Sequence, residues 1–288
     1  MRDKILFGDC RETLKEFDEK ARMCVTSPPY YGLRDYGGED SQIGQEQTPE
    51  EFIDELVKVF REVRNVLTDD GTCWVNVGDS YYNYRPGRGQ GLAKQTVSNT
   101  KQDLPDVCPR RGNRLEGLKE KDLIGIPWMF AFAMRADGWY LRQDIIWNKP
   151  NPMPESVRDR CTKAHEYIFL FSKNQNYYFD VDAIKEPTRR KRSVWNVTKK
   201  PYKGAHFAVY PPELIEPCIK AGSEEGDIVL DPFMGSGTTA MVAKSLGRDY
   251  NGCELHEDYG NLIQKRVEEY HPVEEVSQEP SINILDIV

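Results

Sequence analysis

The sequence predicts an α/β domain built on a mostly parallel sheet, and three observations carry that expectation. Short apolar strands alternate with amphipathic helical stretches along most of the chain. Two strands run straight into unusual turns, Ser27-Pro28-Pro29-Tyr30 and Asp231-Pro232-Phe233-Met234-Gly235-Ser236-Gly237. The 288 residues are 39% hydrophobic and 30% charged, a balance that suits one large domain with a full core.

The elements follow in order. A strand at Lys4–Phe7 is followed by a turn (Gly8-Asp9), a helix at Cys10–Phe17 and a strand at Met23–Thr26. Two prolines then force the chain out of the sheet. Thr48 caps the next helix, with Pro49 at its first position and Glu51 completing a capping box. Phe52, Leu56, Val59, Phe60, Val63 and Leu67 recur at helical spacing behind that cap. Asp69-Asp70-Gly71 reads as a turn before a buried strand at Thr72–Val77.

Periodicity is lost from Tyr82 to Glu120, which is rich in Gly, Pro, Asn, Gln and arginine. It returns as a helix at Asp122–Ala136, stopped by Gly138. Strands at Trp139–Trp147 and His165–Phe171 have no helix between them and are expected to pair antiparallel. A second basic stretch spans Lys185–Lys203. The last third reads as a helix (Pro212–Ala221), a strand (Asp227–Leu230), a glycine turn, a helix (Thr238–Leu246), a strand (Tyr250–Glu254) and a helix (Glu257–Tyr270). An acidic tail with an apolar end closes the chain.

Composition narrows the function classes. No apolar run approaches the roughly 18 residues that span a bilayer. The start, Met1-Arg2-Asp3-Lys4, leads directly into a strand, so a cytoplasmic protein without a signal peptide or membrane contact is expected. The seven cysteines are scattered without a C-x-x-C pair and only four histidines are present, which predicts reduced thiols and no metal site.

The glycine turn has the form that brings backbone close to a ligand and aims helix N–H groups at it. A phosphate-binding P-loop needs Gly-Lys-Ser/Thr, and no lysine follows Gly237. A dinucleotide site is the second option, since Gly235-Ser236-Gly237-Thr238-Thr239-Ala240 nearly matches G-x-G-x-x-G/A. That reading would make the protein an NAD-dependent oxidoreductase. Asp231 weighs against it, because a carboxylate before the glycines repels a pyrophosphate and suits a cation. S-adenosylmethionine carries an ammonium and a sulfonium, so it fits better. Glu254, ending the next strand, can accept both ribose hydroxyls of either ligand.

The other turn points to amine chemistry. An amino group on a planar base is a weak nucleophile, because its lone pair is delocalised into the ring. Acceptors at the Ser27 hydroxyl and the Pro28 carbonyl would localise that pair, while Tyr30 stacks on the base. Pro28-Pro29-Tyr30-Tyr31 also spells a PPxY ligand for WW domains, but such ligands lie in exposed segments and this one ends an apolar strand.

Together, Ser27-Pro28-Pro29-Tyr30 and Asp231–Thr239 resemble the amino-methyltransferases of DNA restriction-modification systems. With the first motif preceding the second, the order is similar to the circularly permuted β group of that family. The resemblance extends to three further segments: Gly8-Asp9-Cys10, Ile145-Ile146-Trp147-Asn148-Lys149-Pro150 and His206-Phe207-Ala208-Val209-Tyr210-Pro211.

The resemblance implies a Rossmann-like S-adenosylmethionine-dependent methyltransferase fold, a seven-stranded, mostly parallel sheet with one antiparallel strand. Residues 1–271 would form one catalytic domain with DNA-recognition insertions at about 82–120 and 174–205, and 272–288 a tail. Ser27, Pro28, Pro29 and Tyr30 would be catalytic. The cofactor would meet Asp9, Phe207, Asp231, Pro232, Phe233, Gly235, Ser236, Gly237, Thr238, Thr239 and Glu254. Trp147 and Lys149 would line the target-base pocket, and Arg110, Arg111, Arg114, Arg189, Arg190 and Arg192 would contact DNA, with Trp195 or Tyr202 stacking or wedging. The implied reaction transfers a methyl group to an exocyclic amine of a base flipped out of double-stranded DNA. Serine at the first motif position implies cytosine N4, with adenine N6 as the alternative. RNA and protein-glutamine methylation are further options that the basic stretches disfavour. A homodimer and a cognate restriction endonuclease are the partners such enzymes have, in a prokaryotic or phage setting.

Overall fold

The computed structural model describes residues 1–32, 42–82, 115–199 and 210–270. Arg110, Arg111, Arg114, Tyr202, Phe207 and the tail lie outside these residues. The described strands are β1 (Lys4–Phe7), β2 (Ala21–Thr26), β3 (Leu67–Val77), β4 (Tyr140–Asn148), β5 (His165–Ser172), β6 (Val194–Asn196), β7 (Ile228–Asp231) and β8 (Asp249–Glu254). The helices are α1 (Cys10–Thr13), α2 (Pro49–Val66), α3 (Ile126–Ala136), α4 (Pro212–Gly222), α5 (Thr238–Ser245) and α6 (Gly260–Glu269).

All eight described strands form one sheet in the order β1-β8-β7-β2-β3-β5-β4-β6. β5 runs against both of its neighbours, and every other pairing is parallel. One antiparallel strand in a parallel sheet is the expected fold. The sheet has one strand more than the seven expected, because Val194–Asn196 adds to the edge at β4. A three-residue strand inside a basic stretch gives no periodic signal.

Alternate residues of each central strand face opposite layers. Cys24, Cys73, Val75, Phe169 and Leu230 join the core under α2 and α3, whereas Met23, Val25, Trp74, Leu170 and Val229 join the core under α4 and α5. Strands covered on both faces read as continuous apolar runs, as these do. The α2 cap forms as expected: the Thr48 hydroxyl accepts from the Glu51 N–H at 3.1 Å, and the Glu51 carboxylate accepts from the Thr48 N–H at 3.2 Å.

Three boundaries differ from expectation. Asp69-Asp70-Gly71 is not a turn but part of β3, whose pairing with β2 steps from Ala21↔Leu67 to Met23↔Thr72. The extra residues are absorbed as an irregularity in the ladder. A Cβ at Gly71 would lie 2.9 Å from the Thr68 carbonyl oxygen, so glycine is needed there for space. Helix α3 starts at Ile126 rather than Asp122, because Gly125 takes a left-handed φ of 88° and Pro127 follows. The helix expected at Cys10–Phe17 is α1 followed by a short 3-10 turn at Leu14–Glu16.

Trp195 is a further correction. It is 6% exposed, lies in the core under α4 and α5, and donates from Nε1 to the Arg192 carbonyl at 2.7 Å. Pairing of β6 with β4 turns the indole inward, so it cannot wedge into DNA. Trp195→Ala is expected to lower unfolding free energy by about 3–5 kcal/mol in urea denaturation; a change below about 0.5 kcal/mol would mark the indole as a surface group.

Candidate active site

Strands β2 and β7 are neighbours in the middle of the sheet, with Met23↔Val229 and Cys24↔Leu230 in register. From β7 the chain moves outward through α5 to β8, and from β2 it moves the other way through α2 to β3. The strand order therefore reverses between them, and an open parallel sheet has its crevice outside the carboxyl ends at such a point. Both special turns lie there.

A side-chain contact joins them. The Thr26 hydroxyl donates to Asp231 Oδ1 at 2.5 Å, and the Phe233 N–H reaches the same oxygen at 3.0 Å. Asp231 Oδ2 accepts from the Thr239 hydroxyl and from the Tyr210 phenol, the latter at 3.2 Å. Asp231 is 1% exposed, and burial raises its pKa against these four donors, which favour the charged form. A ligand ammonium could reach this carboxylate only by displacing one of the four. The described geometry gives Asp231 an internal task, fixing the glycine turn against β2.

Beyond Asp231, Pro232 is buried and Phe233 half-buried. Gly235 and Gly237 hold φ of 54° and 81°, and a Cβ on Gly237 would lie 2.6 Å from Ile263 Cγ2, so both left-handed φ and close packing require glycine. Ser236 accepts from the Arg266 guanidinium through its carbonyl at 2.7 Å and through its hydroxyl. The Thr238 hydroxyl is buried without a hydrogen-bond partner among the described residues. Glu254 Oε2 accepts from the Gly235 N–H at 2.7 Å and Oε1 from the His256 N–H at 3.1 Å. Burial pushes the Glu254 carboxyl up to about 7 despite these backbone donors.

β1 brings Asp9 to the same edge, since Phe7 pairs with Glu254 and the Gly8 N–H donates to the Glu254 carbonyl at 2.9 Å. Asp9 caps α1 by accepting from the Arg11 N–H at 2.9 Å and is clasped by the Arg11 guanidinium. Burial works to raise its pKa and is the largest single influence, but the bonds from Arg11 together outweigh it and hold the carboxyl below its usual range. A deep glycine turn with carboxylates at three adjacent strand ends suits a ligand with a hydroxyl-rich middle and a cationic end.

In the other turn Pro28 is buried, and Ser27, Pro29 and Tyr30 are half-buried. The Tyr30 phenol donates to Glu166 Oε2 at 2.7 Å and to Asn76 Oδ1 at 3.3 Å. Its ring lies against Gly78, where a Cβ would come within 2.5 Å of Cε2. Gly78 is held in place by Asp79, whose Oδ1 accepts from the Gly125 and Ile126 N–H groups at 3.0 and 3.2 Å and so caps α3. Opposite, the Lys149 ammonium pairs with Glu166 Oε1 and lies 4.3 Å from the centroid of the Trp147 ring.

Trp147 lies beneath Lys149. It is 3% exposed and donates from Nε1 to the Val197 carbonyl at 2.8 Å, beside β6. It supports Lys149 from below. Arg189, Arg190 and Arg192 are exposed on the approach to β6, with Arg189 paired to Glu186.

Sequence reading missed Thr26, Asn76, Gly78 and Glu166. Two had a visible signal: Asn76 interrupts the apolar run Trp74-Val75-Asn76-Val77, and Glu166 stands in His165-Glu166-Tyr167-Ile168-Phe169, a charge at the head of a buried strand. A polar residue in such a place needs a partner, which is a reason to look for one.

Residues 21–265 match the model of a family described as DNA methylase. The chain is 49% identical over 272 residues to the Type II methyltransferase M.SmaI of Serratia marcescens, covering 92% of this chain and 90% of that one. A DNA modification methylase of Thermus thermophilus, solved with S-adenosyl-L-methionine, is 26% identical with a TM-score of 0.61, covering 91% of each chain. The cytosine-N4-specific PvuII DNA methyltransferase shares the fold at a TM-score of 0.67 and 21% identity, over 92% of this chain and 86% of that one.

The contact between the two turns is testable. Thr26→Val keeps the shape but leaves the buried Asp231 carboxylate one donor short, so unfolding free energy should fall by about 1–3 kcal/mol. Thr26→Ser should restore most of it. A valine variant as stable as the wild type in chemical denaturation would show that the bond contributes nothing.

Proposed function

The chain belongs to the DNA methylase family, and from that membership we propose that it methylates the N4 amino group of cytosine in double-stranded DNA. It is a Type II DNA amino-methyltransferase of the N4/N6 family that takes its methyl group from S-adenosylmethionine. An NAD-dependent oxidoreductase and a WW-domain ligand are thereby set aside. The observation that supports methyl transfer at this site is the bond of Thr26, the neighbour of Ser27, to Asp231 of the glycine turn. Ser27 supports cytosine, since family members with serine at this position usually act on cytosine and those with aspartate on adenine.

The glycine turn fits the methyl donor. Its left-handed glycines, the Thr238 hydroxyl, which has no partner among the described residues, and the Glu254 carboxyl would form a cradle across two adjacent strand ends. Glu254 would accept the ribose hydroxyls, Asp9 would lie at the adenine end, and Asp231 would hold Gly235–Thr239 in shape. When bound, S-adenosylmethionine supplies a methyl carbon on a sulfonium leaving group.

The chain's own residues prepare the amine. The Ser27 hydroxyl, half-buried at the exit of β2, would accept one N–H of the target amine while the Pro28 carbonyl accepts the other. Two acceptors in the plane of the amine would direct its lone pair toward the methyl carbon. Tyr30 would stack on the flipped base. Arg189, Arg190 and Arg192 would contact phosphates. The Type II designation of the relatives supports a partner endonuclease that reads the same site.

Incubation of unmodified DNA with methyl-labelled S-adenosylmethionine, followed by nucleoside mass spectrometry, should return the label in N4-methylcytosine. Label in N6-methyladenine instead would overturn the cytosine assignment and leave the family membership intact. Cofactor affinity should also depend on pH. A carboxylate accepts two hydroxyls and a neutral carboxyl accepts them poorly, and burial places the Glu254 transition at about 7. Affinity measured by calorimetry should therefore rise between about pH 6 and pH 8, with proton release on binding below pH 7. Glu254→Gln should weaken binding and flatten that profile; a wild-type profile already flat would remove Glu254 from the ribose.

A further inference from the structure

Three donors from three different segments converge on the Glu166 carboxylate at the head of β5. The Tyr30 phenol reaches Oε2 at 2.7 Å, the Asn76 amide reaches the same oxygen at 3.3 Å, and the Lys149 ammonium pairs with Oε1. The Glu166 and Lys149 side chains are 15% and 14% exposed. Charges withdrawn from water to that degree persist when each is met by a partner of good geometry. Glu166 meets that condition on both oxygens, and it is the single group that touches both the Ser-Pro-Pro-Tyr turn and the Trp147-Asn148-Lys149 segment through side-chain bonds among the described residues.

We propose that Glu166 is a positioning residue for methyl transfer: its carboxylate fixes the Tyr30 ring, through the phenol oxygen, at the angle at which that ring stacks on the target base. This rests on the reading of Tyr30 as the stacking platform. A tyrosine ring has two torsions to fix, and the second is broad. Gly78 supports the ring along its side, because any side chain there would strike Cε2. Glu166 and Asn76 hold its far end. A ring held at both places needs no reordering when a base arrives, so the ordering cost is met during folding rather than in the reaction.

Lys149 follows from the same geometry. Its ammonium is engaged by Glu166 and by the Trp147 ring, and the Trp147 N–H is anchored on the Val197 carbonyl beside β6. Lys149 therefore acts on the reaction through Glu166 and Tyr30, and not as a free cation in the base pocket. Asn76 completes the set, since its amide also donates to the Tyr167 carbonyl at 3.0 Å and so ties the side chain to β5.

The test is a double-mutant cycle read by single-turnover methylation of unmodified genomic DNA with tritiated S-adenosylmethionine at saturation. Glu166→Ala should slow the transfer by about tenfold or more with cofactor affinity unchanged, and Glu166→Gln, which still accepts from the phenol, should recover most of the rate. In a Tyr30→Phe background, where the phenol is gone, Glu166→Ala should cost less than about threefold. Equal losses in the two backgrounds would overturn the proposal, as would a loss that follows cofactor affinity. Should Glu166→Ala fail to fold, Tyr30→Phe carries the test alone: it removes the phenol that Glu166 holds and should slow the transfer by about tenfold or more with cofactor affinity unchanged, and a Tyr30→Phe enzyme as fast as the wild type overturns the proposal equally. Tyr30→Ala separates the layers. If it methylates like the wild type, the stacking reading fails and the positioning role falls with it; if it is impaired and the losses still multiply, only the positioning role falls.

Discussion

A carboxylate sealed from water keeps its charge only if donors replace the water, and Asp231 draws such donors from four segments around the site. Thr26 comes from the strand that ends at Ser27, Thr239 from the first turn of α5, Phe233 from the glycine turn, and Tyr210 from the segment leading into α4. Each such bond to a charged group contributes about 1.5–3 kcal/mol, and removing one leaves the others to hold a less well solvated charge. The site's geometry is thus fixed by a buried polar network. Without it, β2 and β7 would still pair, but nothing would set their two exits at a fixed distance and angle.

The same logic separates three acids that look alike in sequence. Asp231, Glu254 and Asp9 all lie at the carboxyl edge of the sheet, yet their surroundings differ. Asp231 is saturated by side-chain donors. Glu254 has two backbone donors and a raised pKa that leaves it near its transition at neutral pH. Asp9 is clasped by Arg11 and held ionised. Of the three, Glu254 retains the most spare acceptor capacity, and that difference comes from burial and partners and not from residue type.

Much of the fold was legible because its period is strong. The alternation of strand and helix, the Thr48 cap and the glycine turn each has a local cause, and each appears where that cause lies. The antiparallel pairing of β4 with β5 followed from the missing crossover helix between them. What escaped was non-local. β6 is three residues long, and its strand character comes from an open edge at β4 that no local pattern announces. Trp147 and Trp195 sit opposite each other on those two strands, and the same unseen pairing buries both indoles. The motif residues Ser27–Tyr30 and Asp231–Thr239 were visible as turns. Their supports, Thr26, Gly78 and Glu166, were not, because support is a property of contacts across the sheet.

The chain carries a net charge of −8, which opposes approach to a polyanion, and the sheet edge shows how that opposition is contained. Several acids there are already neutralised within the protein: Asp9 and Glu55 by Arg11, Glu155 by Arg160, Glu166 by Lys149 and Asp159 by Lys121. Arg190 and Arg192 remain exposed without an ion pair among the described residues, while Arg189 keeps only a surface pair with Glu186, which competes weakly with a phosphate. Over a Debye length of about 8 Å at physiological salt, a local set of unpaired arginines outweighs a distant excess of acids. Net charge is therefore a poor guide to the partner of this chain. What decides is which charges at a given face are already paired within the protein.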